Sequence, residues 1–372
     1  MVVKTVFILA LLATTVISIS AEELESQETS GEKATIEVPA WVKNIKFSGY
    51  GMLRYQADDK YQFGGLDDNG NEIAEKNHAN SFSLRLARLI LDGKIADFDW
   101  RVQIQATNAK GPGEPTVQLV DLYTEWRKYP EFKVRVGQFK RAFTFENPTH
   151  PITQGWRGYA DVINNLSGFG DRTGEKSSGG RDIGIQAAGD LFPNSNGRRL
   201  LHYQVGVYNG EGINSSDKDN RKDIIGGMWV MPIQGVRIGA FGWTGSRGGV
   251  EKNRYCLSAE YDKDGYTFRT EFIHSQGWGS NLGLGDKADG WYAFGIVPVI
   301  NSKLYAKARY QCYRDNKEWN RAKTSYEVGM NYFFTKNLEL HLEYARVNDK
   351  TIPLSGSKHS YNLGTVELDF RF

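Results

Sequence analysis

The sequence predicts an all-β chain: a transmembrane antiparallel β-barrel of about 16 strands, with a long third loop folded into the lumen. Three observations predict it. Apolar and charged residues alternate with period two through segment after segment, as in Val366, Leu368, Phe370 and Phe372 against Thr365, Glu367, Asp369 and Arg371, which marks strands with one oily and one wet face. Most segments run about 10 to 14 residues, longer than an ordinary globular strand and suited to a tilted crossing of a bilayer. The connections alternate strictly between short and long, as antiparallel strands turning at two different surfaces require.

The chain of 372 residues opens on MVVKTVFILALLATTVISISA, with Lys4 before an apolar run and small residues at Ser18, Ser20 and Ala21. That is the pattern of a secretory leader over 1–21, cut after Ser20 or Ala21. A membrane anchor is the competing reading, and the run is shorter than the roughly 18 to 20 apolar residues a spanning helix needs. A polar, acidic linker follows over 22–40, expected in the periplasm, and 41–372 are assigned to the barrel.

Sixteen strand segments then follow in order. They begin NIKFSGYGMLRYQA, SFSLRLARLILDGKIA, DWRVQIQAT, VQLVDLYTEWRK, EFKVRVGQFKR, RDIGIQAAGDLF and LLHYQVGVYNG, and continue through RKDIIGGMWVMP and GVRIGAFGWTG to SYNLGTVELDFRF. The tight junctions include IADF, KYPE, DKDG and FFTKN; the long ones include ADDKYQFGGLDDNGNEIAEKNHAN and GSRGGVEKN. Sixteen strands enclose a lumen too wide for side chains to fill. The polar parity therefore faces inward and the apolar parity faces lipid. The last strand is expected to close the barrel against the first, because an open edge is not tolerated in hydrocarbon.

The longest connection, about Phe143 to Gly180, is the third on the long-loop side. Loops of that length are functional or disordered. Its aromatics (Phe143, Phe145, Trp156, Tyr159, Phe169) and the helix-like YADVINNL favour an ordered constriction inside the lumen over a surface lid. It brings Arg157, Arg172 and Lys176 to that place. Its GFGDRTGEKSSGG is glycine-rich but lacks the spacing of a phosphate-cradling loop.

Lumen-parity cations, among them Arg85, Arg101, Arg135, Lys307 and Arg309, with Arg88 brought in by a bulge, suit an anion pore, in which guanidinium and ammonium groups replace water around an oxyanion. The same parity carries Asp121, Glu125, Glu260, Glu327, Glu343, Glu367 and Asp369, so ion-pair ladders along a wet wall are the competing reading for any one arginine. A net charge of +2 gives no case for a nucleic-acid partner. Cys256 and Cys312 lie on strands of opposite facing and read as unpaired thiols rather than a disulfide. Without a CxxC and with scattered histidines, no metal or cofactor is expected. No catalytic residues are assigned: an outer-wall hydrolase would need Ser258 or Thr270 beside His274, the best pairing the pattern offers.

Several pieces together resemble the phosphate-selective porins O and P of Gram-negative outer membranes. They are SLRLARLILDGKI followed by FDWRVQIQ, then LVDLYTEWRKYPEFKVRVGQFKRAFTFEN, then GGRDIGIQAAGDLF and YQVGVYNGEGIN. The resemblance spans roughly 45–372. It implies an integral outer-membrane protein, exported by a cleaved leader, that forms a homotrimer of sixteen-stranded barrels, with basic side chains binding phosphate-like anions. Carried over by position, Arg85, Arg88, Arg135, Lys140 and Arg157 are the anion-binding candidates. A final strand ending on Phe372 resembles the segment that outer-membrane barrels present to their assembly machinery. The expected function is passive diffusion of small hydrophilic solutes, anions such as phosphate first. A general or sugar-type diffusion channel is the alternative, for which Tyr123, Tyr305 and Tyr313 would supply aromatic rails. An outer-membrane enzyme or a surface adhesin is the rival from a different class.

Overall fold

A computed structural model describes residues 45–69, 72–108, 116–169, 175–176, 179–247, 250–277, 287–352 and 359–372. The leader and linker assigned to 1–40, and Arg172 of the third loop, lie outside these residues. The first strand is β1 (Ile45–Asp58), followed by β2 (Tyr61–Leu66), β3 (Glu72–Lys76), β4 (Ala79–Ile95), β5 (Phe98–Ala106), β6 (Val117–Tyr129) and β7 (Phe132–Lys140). A helix, α1 (Asp161–Leu166), precedes β8 (Arg181–Pro193), β9 (Arg199–Tyr208), β10 (Asp223–Val230), β11 (Val236–Arg247), β12 (Val250–Lys263) and β13 (Tyr266–Gly277). The chain ends with β14 (Lys287–Ile300), β15 (Leu304–Arg314), β16 (Ala322–Thr335), β17 (Leu338–Asp349) and β18 (Ser360–Arg371).

β1 and β4 to β18 form one closed antiparallel barrel in chain order, with β1 sealed against β18. This is the sixteen-stranded architecture that the period-two pattern predicts. The closing register runs without a shift from Tyr50 opposite Arg371 to Asp58 opposite Leu363. At one rim the turns are tight, as at 96–97, 130–131 and 264–265, while 141–180 and most other long connections gather at the opposite rim. Two details differ from the sequence reading. The first long loop carries the hairpin β2–β3, too short to stand out by periodicity. GSRGGVEKN is not a long loop: β11 and β12 run through it and stay paired as far as Arg247 opposite Val250, because polar residues are free to extend a strand above the membrane.

The wall is inside out. Leu122, Val136, Val205, Tyr255, Leu257, Val328 and Phe370 are exposed on its outer face, while Asp121, Arg254, Glu271, Lys307, Arg309, Glu327, Glu367 and Asp369 are buried toward the lumen. In a soluble barrel the hydrophobic effect would impose the reverse. Here lipid solvates the outer face, and the charges neutralise one another within. Cys256 and Cys312 are free thiols.

Leu257, midway along β12 and about half exposed on the outer face, tests this facing. Leu257→Lys is expected to cost about 2–4 kcal/mol in a bilayer, read by denaturant titration of the protein in lipid vesicles.

Candidate functional site

Residues 141–180 follow β7 and do not leave the barrel. Phe143, Phe145, Trp156, Val162, Ile163 and Leu166 pack with Phe241, Trp243, Cys256, Ile273, Tyr292 and Phe294 of the wall in one buried cluster. The inward-folded loop that its aromatics predict is therefore present, and YADVINNL contains α1. A closed lumen gives these rings an apolar surface that a surface lid would not.

Polar groups of the wall hold the loop along its length. The Glu271 carboxylate accepts the backbone N–H groups of Phe145 (2.7 Å) and Glu146 (2.8 Å), the Tyr292 hydroxyl (2.7 Å) and the Ser258 hydroxyl. On the far side Lys307 donates to the Gly155 carbonyl (2.7 Å) and Arg309 to that of Gly158 (3.0 Å). The Glu343 carboxylate accepts the Arg157 N–H at 2.7 Å. These charge-assisted bonds satisfy a backbone that carries almost no secondary structure of its own.

Fastening the loop consumes several of the cations expected to meet solute. Lys140 gives its ammonium to Thr149 O (3.0 Å), the Tyr159 hydroxyl (2.8 Å) and the Asn147 carbonyl. All three of its donors are thus spent on the loop. Arg309, with its side chain 1% exposed, is doubly bonded to Glu327. Arg157 lies on the same Glu327 at 2.8 Å. Arg88 is buried, bonded to Gln105 and to the Tyr50 hydroxyl. β4 and β5 keep register from Ala87 to Ile95, so Arg88 shares the lumen face with Asp92; Arg85, of the opposite parity, also reaches the lumen at Glu367, so the alternation of β4 shifts between the two. Arg85 shares Glu367 with Arg54 and is 11% exposed.

Two of the predicted residues keep substantial exposure in the bore. Arg101 is 25% exposed and doubly bonded to Asp92 at 2.7 and 3.0 Å. Arg135 is 27% exposed, makes one 2.9 Å bond to Glu125 and lies over the Tyr123 ring at 4.6 Å. Both line a cavity of about 120 Å³ between the β5–β9 wall and the root of the loop, together with Asp121, Lys140, Arg141, His150 and Arg181. That space matches about four waters at liquid density, enough for a small oxyanion and part of its hydration shell. Asp121 is the one carboxylate in this lining, and it is engaged by Arg181 at 2.6 and 3.0 Å.

Arg141, His150 and Arg181 were not assigned from sequence. The usable signal was that Lys140, Arg141 and Arg181 sit at the two roots of the long loop, where both chain ends must meet the wall. His150 contributes no charge there: burial first, then the positive charges of Lys140, Arg88 and Arg101, holds its imidazole down to about 3.

The pairing of Ser258 with His274 in an outer-wall hydrolase fails on facing. Ser258 is buried toward the lumen against Glu271, while His274 stands beside the outward Tyr255, with ring centroids 5.3 Å apart. Thr270 donates to the Tyr292 carbonyl at 2.8 Å.

Residues 53–221 match the sequence model of the phosphate-selective porin O and P family. No match is found among curated protein sequences. Among solved structures, the fold is similar to Salmonella typhi OmpF in complex with daunomycin at TM-score 0.62 and 12% identity, covering 88% of this chain and 98% of that one. It is similar to the outer membrane channel DcaP of Acinetobacter baumannii at TM-score 0.58 and 10% identity, covering 88% and 97%. It is also similar to the trimer form of Vibrio cholerae OmpT, an outer membrane protein, at TM-score 0.55 and 12% identity, covering 88% and 100%. These likenesses establish the barrel fold over nearly its whole length.

Two outcomes are expected. Glu271→Ala strands two buried N–H groups of the loop, at about 1–3 kcal/mol each. Single-channel recordings should then show a noisier, intermittently larger conductance from a barrel that still inserts. His150→Asn should leave ion selectivity unchanged from pH 7 to pH 5, measured by reversal potential, because the imidazole is already neutral throughout that range.

Proposed function

We infer that this chain, matched to the phosphate-selective porin O and P family over residues 53–221, is an outer-membrane porin whose water-filled bore favours small anions, phosphate among them. The observation that carries the anion preference is the cavity at the loop root, where Arg101 and Arg135 keep exposure and spare donors, beside Arg181, which is engaged by Asp121, and Arg141, which is engaged by Glu175 and Asp182. A dianion entering that cavity trades water for guanidinium N–H groups in a partly desolvated space, where each charge-assisted bond is stronger than in bulk water. Chloride gains less, having no fork of oxygens to match a guanidinium.

The barrel and the family both argue for a channel rather than an enzyme, and the opposed facing of Ser258 and His274 agrees. Assembly as a homotrimer is proposed by analogy with the trimer form of Vibrio cholerae OmpT. We further propose that 1–21 are removed on export, that 22–40 form a periplasmic linker, and that the strand ending on Phe372 presents the barrel to the outer-membrane assembly machinery.

A second reading, diffusion of hydrophilic solutes without phosphate preference, draws on the pairing of bore arginines with carboxylates: Arg101 with Asp92, Arg135 with Glu125 and Arg237 with Glu260. Planar-bilayer measurements separate the two. Under a salt gradient the wild-type channel should pass anions in preference to cations, and added phosphate should reduce the chloride current. Arg101→Glu with Arg135→Glu should remove both effects. Cation selectivity of the wild type would refute the anion reading, and a double variant that keeps its phosphate sensitivity would refute the site.

A further inference from the structure

The outer wall carries a second concavity, separate from the bore. It has a volume of about 380 Å³ where β12, β13 and β14 near their long-loop ends, and Tyr255, Phe272, His274, Lys287, Asp289 and Lys317 contribute to its lining. Register places these strand residues on the lipid-facing side: Tyr255 stands opposite His274, His274 opposite Asp289, and Phe272 opposite Trp291. Tyr255 and Trp291 are 47% and 40% exposed there. The same face, followed toward the short-turn rim, is apolar through Leu257 and Phe268. The concavity therefore has a greasy lower margin and a charged upper one.

Among the described residues, the charge at that upper margin is positive. Asp289 gives both carboxylate oxygens to Arg314, each at 2.8 Å, and Trp319 covers that guanidinium at 5.0 Å. Neither Lys287 nor Lys317 has a carboxylate within ion-pair distance among the described residues, yet both contribute to this one cavity. Two ammonium groups above an apolar wall, at the boundary between hydrocarbon and water, match an anionic headgroup whose acyl chains run down that wall.

We infer that this is a binding site for a phosphorylated glycolipid of the outer leaflet. Lys287 and Lys317 hold its phosphate, His274 and Tyr255 contact its sugar, and Phe272, Leu257 and Phe268 lie against its chains. The inference rests on the outer-membrane reading above. Free phosphate would leave the apolar margin unused, so the site commits to the lipid.

Native mass spectrometry of the full-length protein in detergent tests it. The probes are a diphosphorylated, hexa-acylated glucosamine disaccharide, its dephosphorylated counterpart and inorganic phosphate. The wild type should retain the diphosphorylated lipid, and Lys287→Glu with Lys317→Glu should retain it roughly tenfold less. The double glutamine variant should fall between the two. Single-channel conductance of both variants should equal the wild type, showing an intact barrel. Equal retention by the variants, equal retention of the dephosphorylated lipid, or displacement by millimolar inorganic phosphate would each overturn the inference. So would loss of oligomer mass in the variants with lipid retention unchanged, which would make this face a contact between copies. Failure of the wild type to conduct would refute the channel reading alone, because the adduct measurement does not depend on conductance.

Discussion

A strand edge in hydrocarbon finds no water to satisfy it, so the barrel must close with hydrogen bonds on every side. The seam shows how the sequence meets that demand. Gly49 and Phe372 exchange backbone bonds at 2.9 and 3.0 Å, which ties the last residue to the first strand. A Cβ on Gly49 would fall 2.5 Å from the Phe372 ring, and one on Gly51 would fall 2.4 Å from that of Phe370. With glycine at both positions, the two rings lie flat over the seam and shield its backbone on the lipid side. The terminal aromatics thus complete the wall as well as the register.

Closure with sixteen strands leaves a wide interior, and that interior decides the rest. Water alone would leave an unselective hole; a hydrophobic plug would seal it. This chain divides the lumen instead. An apolar seam of Phe143, Phe145, Trp156 and α1 lies against β11 to β14, while the opposite margin keeps charged side chains beside a water-accessible cavity. Between them, cations grip loop carbonyls and carboxylates grip loop N–H groups. Buried ion pairs of this kind add little net stability, since desolvation offsets much of the attraction. Their value lies in geometry, because leaving any one of them unpaired would be costly and the loop therefore has one path.

The sequence made the wall legible and the interior only partly so. Facing follows from local periodicity and from the medium on each side, which is why the sequence alone assigns Leu122, Val136, Val205 and Leu257 outward. The fate of a lumen cation depends on where residues 141–180 run. Lys140, Arg157 and Arg309 occupy the right face or the right loop, yet fastening the loop to the wall consumes them, and nothing in their own segments says so. Arg101 and Arg135 keep part of their exposure because the root of the loop leaves a cavity beside them. Arg141 and Arg181 were missed for the converse reason: they lie at strand ends, where parity counts for less than the direction the chain takes next.

The pairing of the exposed arginines bears on how such a channel conducts. A bare guanidinium in a narrow bore would hold a phosphate too long, since conduction needs sites weak enough to leave as well as to enter. Arg101 gives two of its donor nitrogens to Asp92, and Arg135 gives one to Glu125. Each keeps further N–H donors, because a guanidinium carries five in a fixed fork. The carboxylates lower the local positive potential without removing the fork. The ladder that looks like the competing explanation for these arginines is thus compatible with anion passage: a half-satisfied arginine can exchange one oxyanion for the next at a modest change in free energy.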